Sequence, residues 1–249
     1  MNLTVSKSLF ENYANYYGCE DGLEQWRSLG ARDKCSNIVN LCAELEHNSI
    51  LEIGCGDGAI LERLSALAFG ARYTGLEISP SAVACAVQKK IPGCEIALFD
   101  GYESPFSPGE FDLAILSHVL EHAEHPRKLI QEASRVAKNV FIEAPLEDTW
   151  RLSDDFVFDR VGHINFYSRK TIRRLVQSCG MEITGARTTH ASLPSYLYRK
   201  GKFLGTFTYW MKEAGLRILP AVATATLVYH YALTCRPSPE QPSGFSRRP

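Results

Sequence analysis

Three kinds of residue in this 249-residue chain are spaced for chemistry. The first is a run of glycines on alternate positions, Gly54, Gly56 and Gly58, directly behind the apolar stretch Ile50-Leu51-Glu52-Ile53. Glycine lets the backbone adopt conformations that a side chain forbids and lets a ligand lie against bare peptide. A helix-forming run, 59–67, follows at once, so its unpaired amides face the same ligand. The second kind is a carboxylate at the end of a later apolar run. Glu77 stands about 20 residues beyond the glycines, the spacing at which an acidic side chain accepts hydrogen bonds from ribose hydroxyls. The third is histidine: His118, His122 and His125 fall within eight residues, and His163 follows in a separate turn. Histidine titrates near neutral pH and suits proton transfer. The histidines do not follow the H-E-x-x-H spacing, and no cysteine pair forms C-x-x-C, so no metal site is read here.

The elements that position these residues alternate between strand and helix. Residues 50–53, 72–77, 94–99, 111–116, 139–145 and 181–188 read as strands, and 227–235 as a final one. Helices are read at 59–67, after Ser79-Pro80, at 128–136 and at 169–178. Ser79 suits an N-cap, Pro80 the first helical position and Gly180 a helix C-terminus. Such alternation argues for a mostly parallel sheet covered by helices, with ligands at the carboxyl ends of the strands. The spacing G-x-G-x-G lacks the third glycine position of the dinucleotide fingerprint G-x-G-x-x-G, which argues against an NAD-dependent oxidoreductase.

Taken together, the glycine motif with Glu52, the run F-D-L-x-x-L-S-x-V-L-E-H at 111–122, and the order H-x-x-x-Y-S, helix, C-G-M-E-I at 163–183 resemble the class I S-adenosylmethionine (SAM) methyltransferases. Within them the 111–122 run resembles the group that includes the ubiquinone-pathway O-methyltransferases. The resemblance implies a Rossmann-like, doubly wound α/β sheet of seven strands with an antiparallel last strand inserted between the fifth and sixth. It also implies SAM as co-substrate, held by Glu52, Gly54, Cys55, Gly56, Gly58, Glu77, Ile78, Asp100, Gly101, Ser117 and His118. Asp100, at the end of the third strand, would accept from the adenine amino group, although Asp-Gly is also a turn signal. Ser117 and His118 would lie beside the methionine end. His118 and His163 are the candidate catalytic bases, and a loop-anchoring role for His163 is an equal alternative. The expected reaction is methyl transfer to a small-molecule acceptor, with oxygen (hydroxyl or carboxyl) preferred over nitrogen. A non-catalytic, SAM-binding partner subunit is the alternative.

Residues 1–45 read as a helical lid or cap, in which Arg32 and Lys34 are candidates to meet the cofactor carboxylate. The methyltransferase domain covers 46–235, with a charged, aromatic loop at 147–161 as part of the substrate wall. An aromatic and basic insertion at 190–226 reads as a lid or a homodimer contact ahead of a membrane-surface patch. Residues 236–249 read as a disordered tail. The net charge of −1 gives no field for nucleic acid. The 216–235 stretch holds Arg217, Pro220 and His230, so no stable membrane insertion is expected. Cys55, Cys85, Cys94 and Cys179 sit in apolar or turn sequence as reduced, small hydrophobes, and the location expected is cytoplasmic.

Overall fold

The computed structural model describes residues 24–153 and 162–238. Strands β1 (Ser49–Ile53), β2 (Arg72–Glu77), β3 (Cys94–Leu98), β4 (Phe111–Ser117), β5 (Ala137–Leu146), β6 (Met181–Thr189) and β7 (Tyr229–Pro237) form one sheet in the order β3-β2-β1-β4-β5-β7-β6. The first five run parallel. β7 is antiparallel to both β5 and β6 and lies between them, as the resemblance implies. The helices are α1 (Glu24–Cys42), α2 (Ala59–Ala66), α3 (Pro80–Gln88), α4 (Pro126–Val136), α5 (Arg169–Ser178), α6 (Leu193–Ile218) and α7 (Pro220–Thr226).

Strands β1, β2, β4, β5 and β7 are buried along most of their length because both faces of the sheet are covered there. In β4, Leu113 and Ile115 pack with α1 and α2 through Cys35, Ile38, Leu61 and Leu64. Their neighbours Ala114 and Leu116 pack with α4 and α5 through Leu129, Ile130, Ile172 and Val176. The strand order reverses between β1 and β4, so the carboxyl ends of these two strands diverge and leave a crevice.

Local signals set several element ends. Ser79 caps α3, its hydroxyl accepting from the Ala82 amide, with Pro80 at the first position. Ser168 and Thr171 form a reciprocal capping box on α5, and Gly180 follows that helix with φ 79°. Other boundaries depart from the sequence reading. β7 continues through Arg236 and Pro237, two residues assigned above to the tail, because they pair with Glu182 and Met181 of β6. The Arg236 guanidinium also meets Glu182 at 3.0 Å. β5 starts at Ala137, directly after α4. Cys85 is a second correction: it lies half-buried on α3 and is disulfide-bonded rather than reduced. Cys35, Cys42, Cys55, Cys94, Cys179 and Cys235 are free thiols. Residues 1–23 of the expected N-terminal cap, 154–161 of the expected substrate wall and 239–249 of the expected tail lie outside the described residues.

Candidate functional site

A cavity of about 650 Å³ opens at the carboxyl ends of β1, β2 and β4, with α1 and the start of α6 forming its other wall. Such a volume suits a small ligand rather than a macromolecule. The cavity wall contains Glu52, Gly54, Cys55, Gly56, Glu77 and Ile78 from the glycine turn and the end of β2. It also contains Gly101, Ser117, His118 and His163. Two predicted site residues are not in this wall. Gly58, in left-handed backbone (φ 74°), faces α3, where an added Cβ would stand 3.2 Å from both Ala86 and Ile91. Asp100 turns its Oδ1 onto the amides of Tyr102 and Glu103, at 2.9 Å each. That is the turn role its Asp-Gly sequence also suggested.

The glycine turn is built by close approach. Gly54 has φ 77°, and a Cβ there would lie 2.6 Å from Val119 of the segment after β4. Its amide and that of Cys55 donate to the Leu76 carbonyl, at 2.7 and 3.1 Å. Glu77 completes the turn: its Oε2 accepts from the Gly56 amide at 2.8 Å, and its Oε1 from the Ile78 and Ser79 amides at 2.8 and 2.9 Å. Burial raises the Glu77 pKa, and these amides oppose the rise. Two carboxylate oxygens offer about four acceptor positions, so three amides leave capacity for a ligand hydroxyl. Glu52 is also buried, and its Oε2 makes no hydrogen bond. Burial, with smaller contributions from Asp57 and Glu77, pushes its carboxyl well above the usual range, and Lys34 of the cavity wall acts in the opposite sense.

The segment after β4 carries the histidines. His118 sits at φ 57°, a left-handed conformation that turns the chain back towards the cavity, and its amide donates to the Glu143 carbonyl at 2.8 Å. Its Nδ1 is 3.1 Å from Glu121 Oε1, out of hydrogen-bond alignment, and its Nε2 is buried without a partner. Burial, then Lys34, hold the His118 imidazole well below its ordinary pKa, so it is neutral near pH 7. His230 of β7 packs edge-on against it at 4.9 Å and is depressed by burial as well.

His163 reaches the same cavity from a distant turn. The Ile164 and Asn165 amides donate to the Glu121 carbonyl at 2.8 and 3.0 Å, and the Asn165 side-chain amide donates to the Leu120 and Ala123 carbonyls. Tyr167 adds a bond from its hydroxyl to Leu120. These contacts sew the 162–167 segment to the segment that follows β4. His163 Nδ1 then meets Glu147 Oε2 at 2.7 Å, and its ring stands edge-on to His122 at 4.7 Å.

Sequence reading missed the residues that arrive from far along the chain. Glu147 and His230 carry no local motif, and only the fold brings them to the site; Glu121 stands within the 111–122 run without having been singled out there. Glu121, His122 and His163 place one ligand atom each within 4.8 Å of one another, and so do His118, Glu143 and His230. Both sets have the donor types that bind a divalent metal. Of the two cations proposed on α1, Lys34 lines the cavity and Arg32 is exposed outside it. Residues 147–153 are not in the cavity wall; the Trp150 amide bonds to Ala225 of α7 instead.

Side-chain hydrogen bonds hold α1 in place. Asp33 accepts from the Ser192 amide and the Ser195 hydroxyl, both at 2.8 Å, and Asn37 donates to Glu143 at 2.7 Å and Thr189 at 3.1 Å. The helix is therefore clipped to β5, β6 and α6 across the cavity's open side.

A family model described as a methyltransferase domain matches residues 26–185. The ubiquinone biosynthesis O-methyltransferase of Thiobacillus denitrificans is 28% identical over 105 residues, covering 40% of this chain and 44% of that protein. Norajmaline N-methyltransferase of Rauvolfia serpentina is 33% identical over 94 residues, covering 36% and 32%. Of five curated relatives that it matches, the chain spans between 27% and 57% of their length. Among solved structures, a Haemonchus contortus phosphoethanolamine N-methyltransferase 2, in complex with phosphomonomethylethanolamine and S-adenosylhomocysteine, superposes with a TM-score of 0.67. It is 16% identical and covers 94% of this chain and 61% of that one. With this sheet order, a glycine turn closed by Glu77, and a family match over most of the described domain, the chain belongs to the class I SAM-dependent methyltransferases.

Proposed function

We propose that this protein transfers the methyl group of SAM to an oxygen of a small-molecule acceptor, with His163 as general base. The observation that carries the reading is the pairing of His163 with Glu147 at 2.7 Å beside the cavity that holds the glycine turn. The residues present fit SAM. Glu77 keeps acceptor capacity for ribose hydroxyls, and Gly54 and Gly56 present bare backbone. The buried Glu52 oxygen and both Glu121 oxygens, which make no hydrogen bond, suit the positive charge of the methionine portion. Bound SAM supplies an activated methyl and a neutral leaving group.

The protein's part is then positioning and proton removal. Glu147 engages Nδ1 of His163, so an acceptor hydroxyl would lose its proton to Nε2, and the carboxylate would stabilise the resulting imidazolium. His118, neutral and half-buried in the cavity wall, is the second candidate near the reacting centre. A hydroxyl acceptor needs such a base, whereas a carboxylate or free amine needs much less help. The named relatives include both O- and N-methyltransferases, so the preference for oxygen rests on this dyad.

The test is methyl transfer from labelled SAM to a panel of hydroxyl, carboxyl and amine acceptors. His163→Ala should lower turnover roughly 10²–10⁴-fold, the usual range for a positioned acid or base, with S-adenosylhomocysteine affinity kept. Loss of affinity with turnover per bound complex unchanged would remove His163 from the acceptor site. Binding of SAM with no transfer to any acceptor class would favour the non-catalytic partner-subunit reading.

A further inference from the structure

The insertion before β7 buries less than its composition demands. α6 breaks at Gly201, whose φ 72° and ψ 173° are not helical, and continues from there to Ile218 as an amphipathic rod. One face is used: Gly205 packs against the Tyr196 backbone, Thr208 is buried, and Lys212 lies over the Tyr196 and Tyr229 rings. The opposite face is apolar and open to solvent. Phe203 is 93% exposed, Phe207 64%, Trp210 56% and Ile218 74%. These positions are separated by four, three and eight residues, so they fall on one side of a helix. Leu219 and Val222 extend the stripe across the turn into α7. An exposed apolar strip of this extent marks an interaction surface.

Charge decides what the surface fits. The exposed cations Arg199, Lys200, Lys202 and Arg217 flank the stripe. The sole acidic residue of α6 and α7, Glu213, is half-buried and bound to His190 at 3.2 Å and Arg217 at 2.9 Å. A second copy applied to this face would bring cations and apolar side chains but no exposed carboxylate of these helices. We propose that the Lys202–Ile218 face docks the protein peripherally on an anionic lipid surface. Aromatic and aliphatic side chains on one side of a helix, rimmed by Lys and Arg, are the composition of an interfacial helix, and each cation near an anionic bilayer adds attraction. The docking is at the surface: no helix among the described residues is long and apolar enough to cross a membrane.

The stripe also begins a few residues from the cavity. Ser195 and Arg199, before the break at Gly201, line it, and Tyr198 stacks on Trp26 of α1, another wall residue. A docked molecule therefore sets the cavity's rim beside the lipid phase. The docking itself does not depend on the methyl-transfer reading; only the supply of an apolar acceptor from the lipid phase does.

The experiment is co-flotation of the full chain with vesicles of phosphatidylcholine alone and of phosphatidylcholine with phosphatidylserine. The expected result is binding to the anionic vesicles that weakens as salt rises and is weaker by roughly tenfold or more on neutral ones. Phe203→Glu with Phe207→Glu should abolish flotation, while thermal stability and S-adenosylhomocysteine affinity stay as in the parent, since neither side chain lines the cavity. Absence of flotation on either vesicle overturns the proposal. So does a parent that is dimeric by light scattering and becomes monomeric in the double variant, which would assign the face to a second copy.

Discussion

Glu143 is fully buried on β5, where Asn37 donates to it at 2.7 Å and the Ser117 hydroxyl at 3.4 Å. Burial raises its pKa from 4.5 to about 7. The folded protein therefore holds a proton that the unfolded chain releases, so stability is greatest below pH 4.5 for this group and falls as pH rises towards 7. The loss is on the order of 3 kcal/mol. Glu143→Gln keeps an acceptor for Asn37 and cannot ionise. It should flatten the fall in thermal stability between pH 5 and 8, and an unchanged slope would assign the dependence to other groups. Glu77 tests the cofactor cradle at the same scale. Glu77→Ala should weaken S-adenosylhomocysteine binding by roughly 1–3 kcal/mol, the scale of a hydrogen bond to a charged group. Because Glu77 also ties three amides of the glycine turn, some loss of stability should accompany it. Destabilisation with affinity intact would leave Glu77 a structural residue. At this scale the sequence showed the residues whose roles are local and hid those whose partners are remote. Glu52, Glu77 and His118 follow from strand ends and turns, whereas the Glu147–His163 pair joins two turns through contacts that no spacing encodes.

The turn after β1 and the turn after β4 are made for each other. Gly54→Ala would force left-handed backbone on a side chain and push its Cβ to 2.6 Å from Val119. A loss of roughly 1–3 kcal/mol in stability is expected from denaturant unfolding. Adding Val119→Ala should restore part of it, because the steric share is removed and the backbone share stays; strict additivity of the two would mean that the contact carries no energy. Elements with local punctuation were legible in just this way. Ser79-Pro80 starts α3 and Gly180 follows the end of α5, both as read from sequence, and the span 169–178 read for α5 is the one its Ser168–Thr171 capping box opens. The end of β7 was not legible, because Arg236 and Pro237 look like tail and become strand only through pairing with Glu182 and Met181. The disulfide at Cys85 escaped for a related reason: its sequence neighbours are apolar, yet the side chain is only half-buried on its helix.

For the molecule as a whole, a seven-stranded sheet with one reversal point gathers remote residues into one cavity, and α1 clips across it from the amino-terminal side. Fold and cofactor class were readable because alternation of strand and helix, glycine spacing and strand-end carboxylates are all short-range patterns. The acceptor was not, since the rest of the cavity wall draws on α1, α6, β7 and the 162–167 turn at once, and no spacing links them. The central claim is that this cavity binds SAM rather than a dinucleotide. Calorimetric titration of the full chain with S-adenosylhomocysteine, using NADH as the control ligand, tests it most directly. The account predicts saturable binding of S-adenosylhomocysteine at micromolar concentrations with one site per chain, and no heat from NADH. Binding of NADH, or no binding of S-adenosylhomocysteine to a folded sample, would contradict it.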